Sequence, residues 1–455
     1  MAKDKKIFVC SECGYESAKY WGKCPDCGSW NTFSEFSKKE LEIVNHKQNI
    51  FTPKITNLND IDTNEEIRFS TKISELDRVL GGGIVPSSIV LVGGQPGIGK
   101  STLLMQSAYN VSLEDKKVLY ASSEESLTQL KLRLDRLGLK GGNILVLSNT
   151  NIEQIIESAK ENKIDLLIID SIQTVKSENI PSAPGTITQV RECTNTLMNF
   201  AKATNTSIFL VGHITKQGTI AGPKTIEHMV DTVMYFENEA NSDLRILRLS
   251  KNRFGSSEEI GVFEMTNKGL ECINNPSKLL LSQMESRSYG SVICALMEGN
   301  RSMLVEIQAL AMQSSFQVPR RVSTGFDYSR FVLILAVIEK MTNVKLFQTD
   351  VYLNVVGGIK VKETASDLAV ACAVISSILK KEIPKDTIII GEVGLCGEIR
   401  NVNNIYKRIK DAKSMGFTKA IIPKYTSENE QIDTLGMEII KVSSLKQTIF
   451  HLFNK

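Results

Sequence analysis

The residues best suited to chemistry fall in two clusters, and the first is a set of four cysteines. Cys10, Cys13, Cys24 and Cys27 form two CxxC pairs separated by ten residues. Each pair can present two thiolates from one tight turn, and two such pairs complete a tetrahedral zinc site. Because four thiolates leave no open coordination position, the pattern predicts a structural zinc ion that folds a small ribbon.

The second cluster is a glycine-rich loop that follows an apolar run at Ile89 to Val92 and precedes a helix-forming stretch. The loop and the helix start read Gly94, Gln95, Pro96, Gly97, Ile98, Gly99, Lys100, Ser101 and Thr102. Backbone N–H groups of such a loop bind the β-phosphate, its lysine reaches the β and γ oxygens, and its serine hydroxyl ligates magnesium. The pattern therefore predicts ATP as substrate, with Mg²⁺, Lys100 as a catalytic cation and Ser101 as a metal ligand.

Three later strand ends carry polar side chains that could complete this site. Asp170 ends the apolar run DLLIID and is predicted to hold magnesium through water opposite Ser101. Glu124 and Glu125 follow the run KVLYASS, from which either carboxylate could activate the attacking water, although a solvated acidic pair fits the same pattern. His213 ends the run SIFLVGH and is a candidate sensor of the γ-phosphate or a structural histidine.

Strands and helices alternate from Ile89 to about Phe263. Such alternation predicts a mostly parallel sheet with helices on both faces and nucleotide at the carboxyl ends of the strands.

The composition of the chain restricts the classes of protein to which it can belong. The chain has 455 residues, of which 42% are apolar and 23% charged, as in ordinary globular proteins of several domains. Lys and Arg number 54 against 51 Asp and Glu, so any nucleic-acid contact must come from local basic clusters. No apolar stretch has the length of a membrane helix, and the first residues lack the apolar core of a signal peptide. We therefore expect a cytoplasmic protein without membrane contact.

Several motifs together resemble one family. They are GGGIVPSSIVLVGGQPGIGKST, SSEES, GHITKQGTIAGPKTIEHMVD and KNRFG, and with the amino-terminal ribbon they resemble the bacterial RadA (Sms) family of RecA-like recombination and repair ATPases. The resemblance covers nearly the whole chain. It implies a DNA-dependent motor that binds single-stranded DNA, assembles as a homo-hexamer and drives branch migration of recombination intermediates, with a RecA-type recombinase as a partner.

Two basic segments are candidate DNA contacts under this resemblance. The glycine-containing loop with Lys216 and Lys224 follows His213, where RecA-like proteins carry a mobile DNA-binding loop, although its spacing fits a surface loop equally well. The second segment follows a predicted strand at Arg245 to Ser250 and comprises Lys251, Asn252, Arg253, Phe254 and Gly255. Lys251 and Arg253 are candidates for contact with a neighbouring subunit's ATP, for DNA contact, or for both.

The carboxyl-terminal part resembles the Lon protease domain but lacks its catalytic dyad. The Lon serine position falls on Ala365 and the lysine position on Tyr406, with Ser366 and Lys407 one residue late. A one-residue offset on a helix rotates a side chain by about 100°, so we expect no peptide hydrolysis. We expect an oligomerisation and DNA-binding scaffold, with candidate basic contacts at Lys345, Lys360, Lys362, Arg400, Lys407 and Arg408.

The predicted organisation is a C4 zinc ribbon at 1–35, a linker at 36–69, a RecA-like P-loop ATPase domain at 70–275 and an inactive Lon-protease-like α+β domain at 283–455. The overall fold class is predicted to be α/β.

Two other functions compete with a DNA motor. An ATP-dependent protease is opposed by Ala365 and Tyr406, and a clock- or signalling-type RecA-fold ATPase gives no reason for the ribbon or for KNRFG.

Overall fold

The computed structural model describes residues 6–10, 16–26, 28, 30–37, 68–140, 142–213, 226–238, 244–281, 289–342, 344–426 and 436–453. Cys13, Cys27, Lys216 and Lys224 lie outside the described residues. The chain divides into two units, residues 1–237 with 245–272 and residues 238–244 with 273–455. None of the described helices combines the length and the apolar character that crossing a bilayer requires.

The amino-terminal ribbon is a small antiparallel sheet of three strands in the order β2-β1-β3. The strands are β1 (Lys6–Cys10), β2 (Glu16–Ser17) and β3 (Phe33–Ser37). Cys10, Cys24 and Phe33 are buried together in its centre. The first cysteine of each CxxC pair therefore lies inside the same small core.

The part of the chain that is predicted to bind nucleotide is built on a sheet of nine strands in the order β12-β11-β10-β9-β4-β8-β7-β5-β6. Its strands are β4 (Ile89–Gly94), β5 (Val118–Ser122), β6 (Ile144–Ser148), β7 (Leu166–Asp170), β8 (Ser207–His213), β9 (Thr232–Asn238), β10 (Leu244–Asn252), β11 (Ile260–Thr266) and β12 (Gly269–Cys272). The pairs that join β9, β4, β8, β7, β5 and β6 are all parallel.

Helices cover both faces of this sheet. They are α1 (Ser74–Leu80), α2 (Lys100–Ser112), α3 (Leu127–Arg136), α4 (Ile152–Asn162) and α5 (Ile187–Thr204). One core packs side chains of α1, α2 and α3 on the sheet, and a second core packs α4 and α5 on the other face. Strands buried on both faces read as continuous apolar runs, which is why Ile89–Gly94 and Leu166–Asp170 lack alternation. The predicted mostly parallel sheet with helices on both faces is confirmed.

Capping residues determine where the helices next to the site begin. Ser126 and Gln129 form a reciprocal capping box at the start of α3, and Asn151 and Thr186 accept backbone N–H groups at the starts of α4 and α5. These bonds satisfy donors that the first helical turn leaves unpaired. The strand ends before them are therefore held in defined positions.

The carboxyl-terminal unit contains a sheet of seven strands in the order β15-β16-β14-β13-β17-β20-β21 and a separate two-stranded sheet, β18-β19. The strands are β13 (Ser291–Glu298), β14 (Arg301–Gln313), β15 (Arg321–Thr324), β16 (Thr349–Val355), β17 (Thr387–Ile389), β18 (Glu392–Val393), β19 (Ile399–Arg400), β20 (Lys419–Pro423) and β21 (Glu438–Val442). The helices are α6 (Pro276–Leu281), α7 (Tyr328–Met341), α8 (Asp367–Leu379), α9 (Ile405–Ser414) and α10 (Leu445–Phe453). The seven-stranded sheet combines parallel and antiparallel pairs, so this unit mixes helices and strands, in keeping with the α+β domain that the sequence predicts.

Candidate nucleotide site and its neighbours

The predicted nucleotide-binding residues meet at the carboxyl edge of the central strands. Gly94 at the end of β4 is the register partner of His213 at the end of β8, and Ser122 at the end of β5 is the partner of Asp170 at the end of β7. Parallel strands place the residues that follow their carboxyl ends at one edge. The sheet thus assembles one site from four separate segments of the chain.

Glycine is required at two positions of the phosphate loop. Gly97 and Gly99 have φ angles of 76° and 117°, in the left-handed region where other residues are strained. A Cβ atom on Gly99 would lie 2.7 Å from the Cε atom of Met265. The loop can therefore curl into the start of α2, where Ser101 and Thr102 lie half-buried in the first turn.

Lys100 is buried at the centre of this site, with 3% of its surface exposed. Its Nζ donates to the carbonyl oxygens of Gly94 and Gln95, at 2.8 and 2.9 Å. Burial lowers the pKa of Lys100 to about 8, and the Asp170 and Glu124 carboxylates oppose that shift. The ammonium group is therefore held in place at moderate cost in desolvation, ready to exchange loop carbonyls for phosphate oxygens.

His213 joins the lysine to a carboxylate. Its Nδ1 lies 3.2 Å from Lys100 Nζ, and its Nε2 lies 3.2 Å from Glu124 Oε1. A neutral imidazole with its proton on Nε2 satisfies both contacts, because Nδ1 then accepts from the ammonium and Nε2–H donates to the carboxylate. The predicted sensor residue thus touches both the phosphate-loop cation and a carboxylate that is predicted to activate water.

The structure separates the two adjacent glutamates. Glu124 Oε1 also accepts from the Ser171 hydroxyl at 2.6 Å, which fixes that carboxylate beside Lys100 and Asp170. The Glu125 carboxylate instead pairs with Arg133 on α3. Of the two residues whose roles the sequence leaves open, Glu124 faces the phosphate loop.

Two residues that were not predicted from the sequence, Tyr120 and Ser171, hydrogen-bond to the carboxylates of Asp170 and Glu124. The Tyr120 hydroxyl donates to Asp170 Oδ2 at 2.6 Å, and burial together with the Asp170 charge raises the pKa of this tyrosine well above its usual value. Ser171, fully buried, holds Glu124 as described above. A polar residue inside the apolar run VLYAS and a serine next to Asp170 were the available signals. The Tyr120 hydroxyl therefore orients the Asp170 carboxylate at the end of β7.

The KNRFG motif lies near the opposite end of the central strand. Arg253 N donates to Asp231 O at 3.1 Å, and Asp231 Oδ2 accepts from Ile89 N, the first residue of β4, at 3.0 Å. Ile89 and Gly94 are five positions apart along β4, a rise of about 16 Å at the usual spacing of a strand. This distance places the motif out of reach of the phosphate loop of its own chain.

The basic side chains of this motif bind residues 227–231, just before β9. Lys251 Nζ donates to the carbonyl oxygens of Glu227, His228 and Val230 at 2.9, 3.2 and 2.7 Å. Burial and the nearby guanidinium lower the pKa of Lys251. Arg253 Nη1 lies 3.2 Å from an Asp231 carboxylate oxygen, and half of its side chain remains exposed.

The rest of the motif is held from within the same unit. Asn252 belongs to β10, which extends two residues beyond the predicted end at Ser250. Asn252 Oδ1 accepts from Phe254 N at 3.0 Å, and Phe254 O accepts from Arg68 Nη2 at 2.7 Å. Gly255 follows directly. The motif is thus an ordered turn that leaves the Arg253 guanidinium at the surface.

The carboxyl-terminal unit has no serine–lysine dyad at the predicted positions. Ala365 and Ser366 are buried, and the Ser366 hydroxyl donates to Glu363 O at 3.0 Å. Lys407 is exposed, whereas Tyr406 packs partly buried against the core. Ser366 lies in a 3-10 turn, Thr364–Ser366, just before α8, and Lys407 lies on the exposed side of α9.

One predicted basic contact is wrong. Arg408 is 2% exposed, and its Nη1 and Nη2 atoms bind the two Glu363 carboxylate oxygens at 2.7 and 2.6 Å. Its Nε donates to Asn403 O at 3.0 Å. A guanidinium with its donors used inside the core cannot contact DNA phosphates. Lys345, Lys360, Lys362, Arg400 and Lys407 are exposed, as a surface contact requires.

The described cysteines of the ribbon fit a shared metal. Cys10 and Cys24 are 0% and 1% exposed in one cluster, and each comes from a different CxxC pair. Two buried thiols from separate turns are the arrangement that a four-thiolate zinc site needs. Among the described residues alone, no group of three or more metal-ligating side chains is present.

Comparison with known families assigns three parts of the chain. Residues 8–35 match the rubredoxin metal binding domain, residues 53–219 match the AAA domain, and residues 329–426 match subunit ChlI of Mg-chelatase. In solved structures, the RadB recombinase is similar at 22% identity and a TM-score of 0.36, covering 45% of this chain and 99% of that one. A KaiC-like protein of Pyrococcus horikoshii is similar at 20% identity and a TM-score of 0.39, covering 45% and 98%.

Curated relatives match the chain from end to end. The DNA repair protein RadA of Halalkalibacterium halodurans is 47% identical over 454 residues, covering 99% of each chain. The RadA proteins of Listeria monocytogenes and Bacillus subtilis are 48% and 46% identical, covering 97% and 99% of this chain and 98% and 99% of theirs. With this identity over nearly the full length, the chain belongs to the RadA family.

Proposed function

We propose that this protein is a DNA-dependent ATPase motor that binds single-stranded DNA and drives branch migration of recombination intermediates in homologous recombination and DNA repair. The contacts of His213 are the observation that supports it. This residue touches Lys100 and Glu124, and Lys216 follows it by three positions in the chain, with Lys224 further on. A change at the γ-phosphate would therefore act on the residue that leads into a predicted DNA-binding loop.

ATP hydrolysis follows from the chemistry of the assembled groups. Lys100 exchanges the loop carbonyls for β and γ oxygens. Ser101 and Asp170 would hold Mg²⁺, Asp170 through water, and the bound ion would neutralise charge on the phosphate oxygens. Glu124 accepts a proton from the water whose oxygen attacks the γ-phosphorus, and the bond from that phosphorus to the β-phosphate oxygen breaks. Ser171 and Tyr120 orient the two carboxylates. A structural zinc ion held by Cys10, Cys13, Cys24 and Cys27 would stabilise the ribbon.

The position of KNRFG supports action between subunits. Because Arg253 binds Asp231, which in turn binds the first residue of β4, its guanidinium would serve a neighbouring subunit's ATP, or DNA, rather than its own nucleotide. Lys251 would take part once its ammonium group exchanges the carbonyl oxygens of Glu227, His228 and Val230 for phosphate oxygens. A closed ring, which we propose to be a homo-hexamer, gives every subunit such a neighbour. Lys216, Lys224 and the KNRFG residues would contact single-stranded DNA, and a RecA-type recombinase would be a partner in the cytoplasm.

ATP hydrolysis measured with and without single-stranded DNA tests the proposal. We expect stimulation by single-stranded DNA, weaker stimulation by duplex, and none in a Lys100→Ala variant. A second assay follows strand displacement from a synthetic branched intermediate, which should require hydrolysable ATP. Turnover that no DNA changes, or peptide hydrolysis by the chain, would contradict the proposed motor.

A further inference from the structure

Both tryptophans of the chain lie on the amino-terminal ribbon. Trp21 and Trp30 are 48% and 69% exposed. Tyr20 is 53% exposed as well, but its ring also packs edge-on against Phe8 and Phe33 at centroid distances of 5.9 and 6.3 Å. Part of the Tyr20 ring therefore belongs to the small core, and about half of the Trp21 side chain and more of Trp30 lie at the surface.

The Trp21 indole is anchored to the ribbon. Its Nε1–H donates to the Ser17 hydroxyl at 2.9 Å, and the same hydroxyl accepts from Lys19 N at 3.1 Å. An indole has one hydrogen-bond donor and no acceptor. Because that donor is used within the ribbon, the exposed part of the side chain offers a partner the π-face of the ring.

Positive charge accompanies the two rings. Lys23 Nζ lies 5.6 Å from the centroid of the Trp30 ring, and the two residues form an antiparallel bridge. Lys19 and Lys23, both exposed, flank Trp21 by two residues on each side. Aromatic faces beside ammonium groups match a nucleic-acid strand, because bases stack on the rings while phosphates pair with the cations.

We propose that Trp21, Trp30, Lys19 and Lys23 form a stacking surface for single-stranded nucleic acid. The surface adds to the proposed function a strand contact outside the ATPase domain, and it rests on that function for the choice of DNA as the natural strand. Sequence-tolerant binding is expected, since every base has a π-face.

Intrinsic fluorescence of the intact zinc-loaded protein tests the surface directly. Because both tryptophans lie on the ribbon, tryptophan emission reports this surface alone. Addition of a deoxythymidine oligonucleotide should quench the emission, and an abasic strand of equal length should quench it much less. Trp21→Phe and Trp30→Phe each leave one indole, and quenching should persist in both single variants.

Affinity measurements with a labelled oligonucleotide provide the second readout. Trp21→Ala and Trp30→Ala should each weaken binding by about 5- to 150-fold, and Lys23→Gln should lower the salt dependence by about one phosphate contact. Tyr425→Ala is the matched control, because Tyr425 is 73% exposed with Lys424 Nζ also 5.6 Å from its ring. The control should bind normally. Zinc content equal to that of the wild type verifies that each ribbon variant is folded.

Three results would overturn the inference: unchanged emission at saturating oligonucleotide, equal quenching by the abasic strand, or a change caused only by a recombinase protein. The last result would identify the surface as a protein-docking site. ATPase stimulation is recorded in the same samples. ATPase stimulation without fluorescence quenching would contradict the stacking surface and leave the proposed motor intact. Quenching without ATPase stimulation would contradict the proposed motor and leave the stacking surface intact.

Discussion

Replacing Arg253 by alanine should separate ATP binding from ATP turnover. The guanidinium lies near the amino end of β4, about 16 Å of strand away from the phosphate loop of its own chain. Its ion pair with Asp231 is half exposed on the arginine side, so losing it should cost at most about 1 kcal/mol of stability. The fold should therefore survive. If Arg253 serves a neighbour's ATP, turnover should fall by about 10- to 1000-fold, or roughly 1.4 to 4 kcal/mol of transition-state stabilisation, while ATP affinity stays near wild type.

Mixing two inactive variants tests the direction of this contact. A Lys100→Ala subunit still offers its Arg253, and an Arg253→Ala subunit still offers an intact phosphate loop. In a ring assembled at random from equal amounts, about one site in four combines an intact loop with an intact neighbouring arginine. Steady-state phosphate release should therefore recover to about a quarter of the wild-type rate per subunit.

The outcomes of this experiment are distinct. No recovery on mixing, with mixed rings verified by tagged-subunit capture, would refute action across a subunit boundary. Unchanged DNA-independent ATPase in Arg253→Ala alone would refute it as well and would leave a DNA contact, seen as weaker DNA binding with a smaller salt dependence. Arg253→Lys is the control that keeps charge but loses the planar fork.

Three further predictions concern groups that the structure places in contrasting environments. Glu124→Gln should lower ATP turnover by about 100- to 10,000-fold with ATP binding retained, whereas Glu125→Gln should keep most of the activity. Equal losses of the two variants in single-turnover hydrolysis would contradict Glu124 as the residue that activates water. Burial lowers the pKa of Lys100 to about 8, and bound phosphate favours the charged form of its amine. The affinity for ATP should therefore be constant below pH 8 and should fall above it, by a factor that approaches tenfold per pH unit. Lys100→Met should lack this slope in titrations at several pH values, and an identical slope in that variant would assign it to another group. Arg408→Met should destabilise the carboxyl-terminal unit by about 2 to 3 kcal/mol in urea unfolding, because the partly buried Glu363 carboxylate and the carbonyl oxygens of Ala295 and Asn403 lose their hydrogen-bond donor. Lys407→Met should change little, and equal effects of the two substitutions would mean that the Arg408 contacts do not stabilise the unit.

Much of the nucleotide site could be predicted from local sequence. The phosphate loop is a contiguous segment whose glycines, Lys100 and Ser101 are spaced by the chain itself, so its strand–loop–helix form follows from the order of residues. The same holds for Asp170 and His213, because each ends an apolar run that is long enough to be a buried strand. The paired cysteines likewise depend on spacing within short turns.

The remaining assignments depended on contacts between distant segments. Glu124 and Glu125 are adjacent in the chain, and only tertiary packing gives them different surroundings. Helix α3 brings Arg133 to Glu125, whereas the end of β7 brings Ser171 to Glu124. Local spacing likewise could not show that Arg408 points into the core, because its partner Glu363 lies 45 residues earlier. A charged residue is exposed or buried according to whether the fold supplies an opposite charge in the interior, and that supply is a property of tertiary packing.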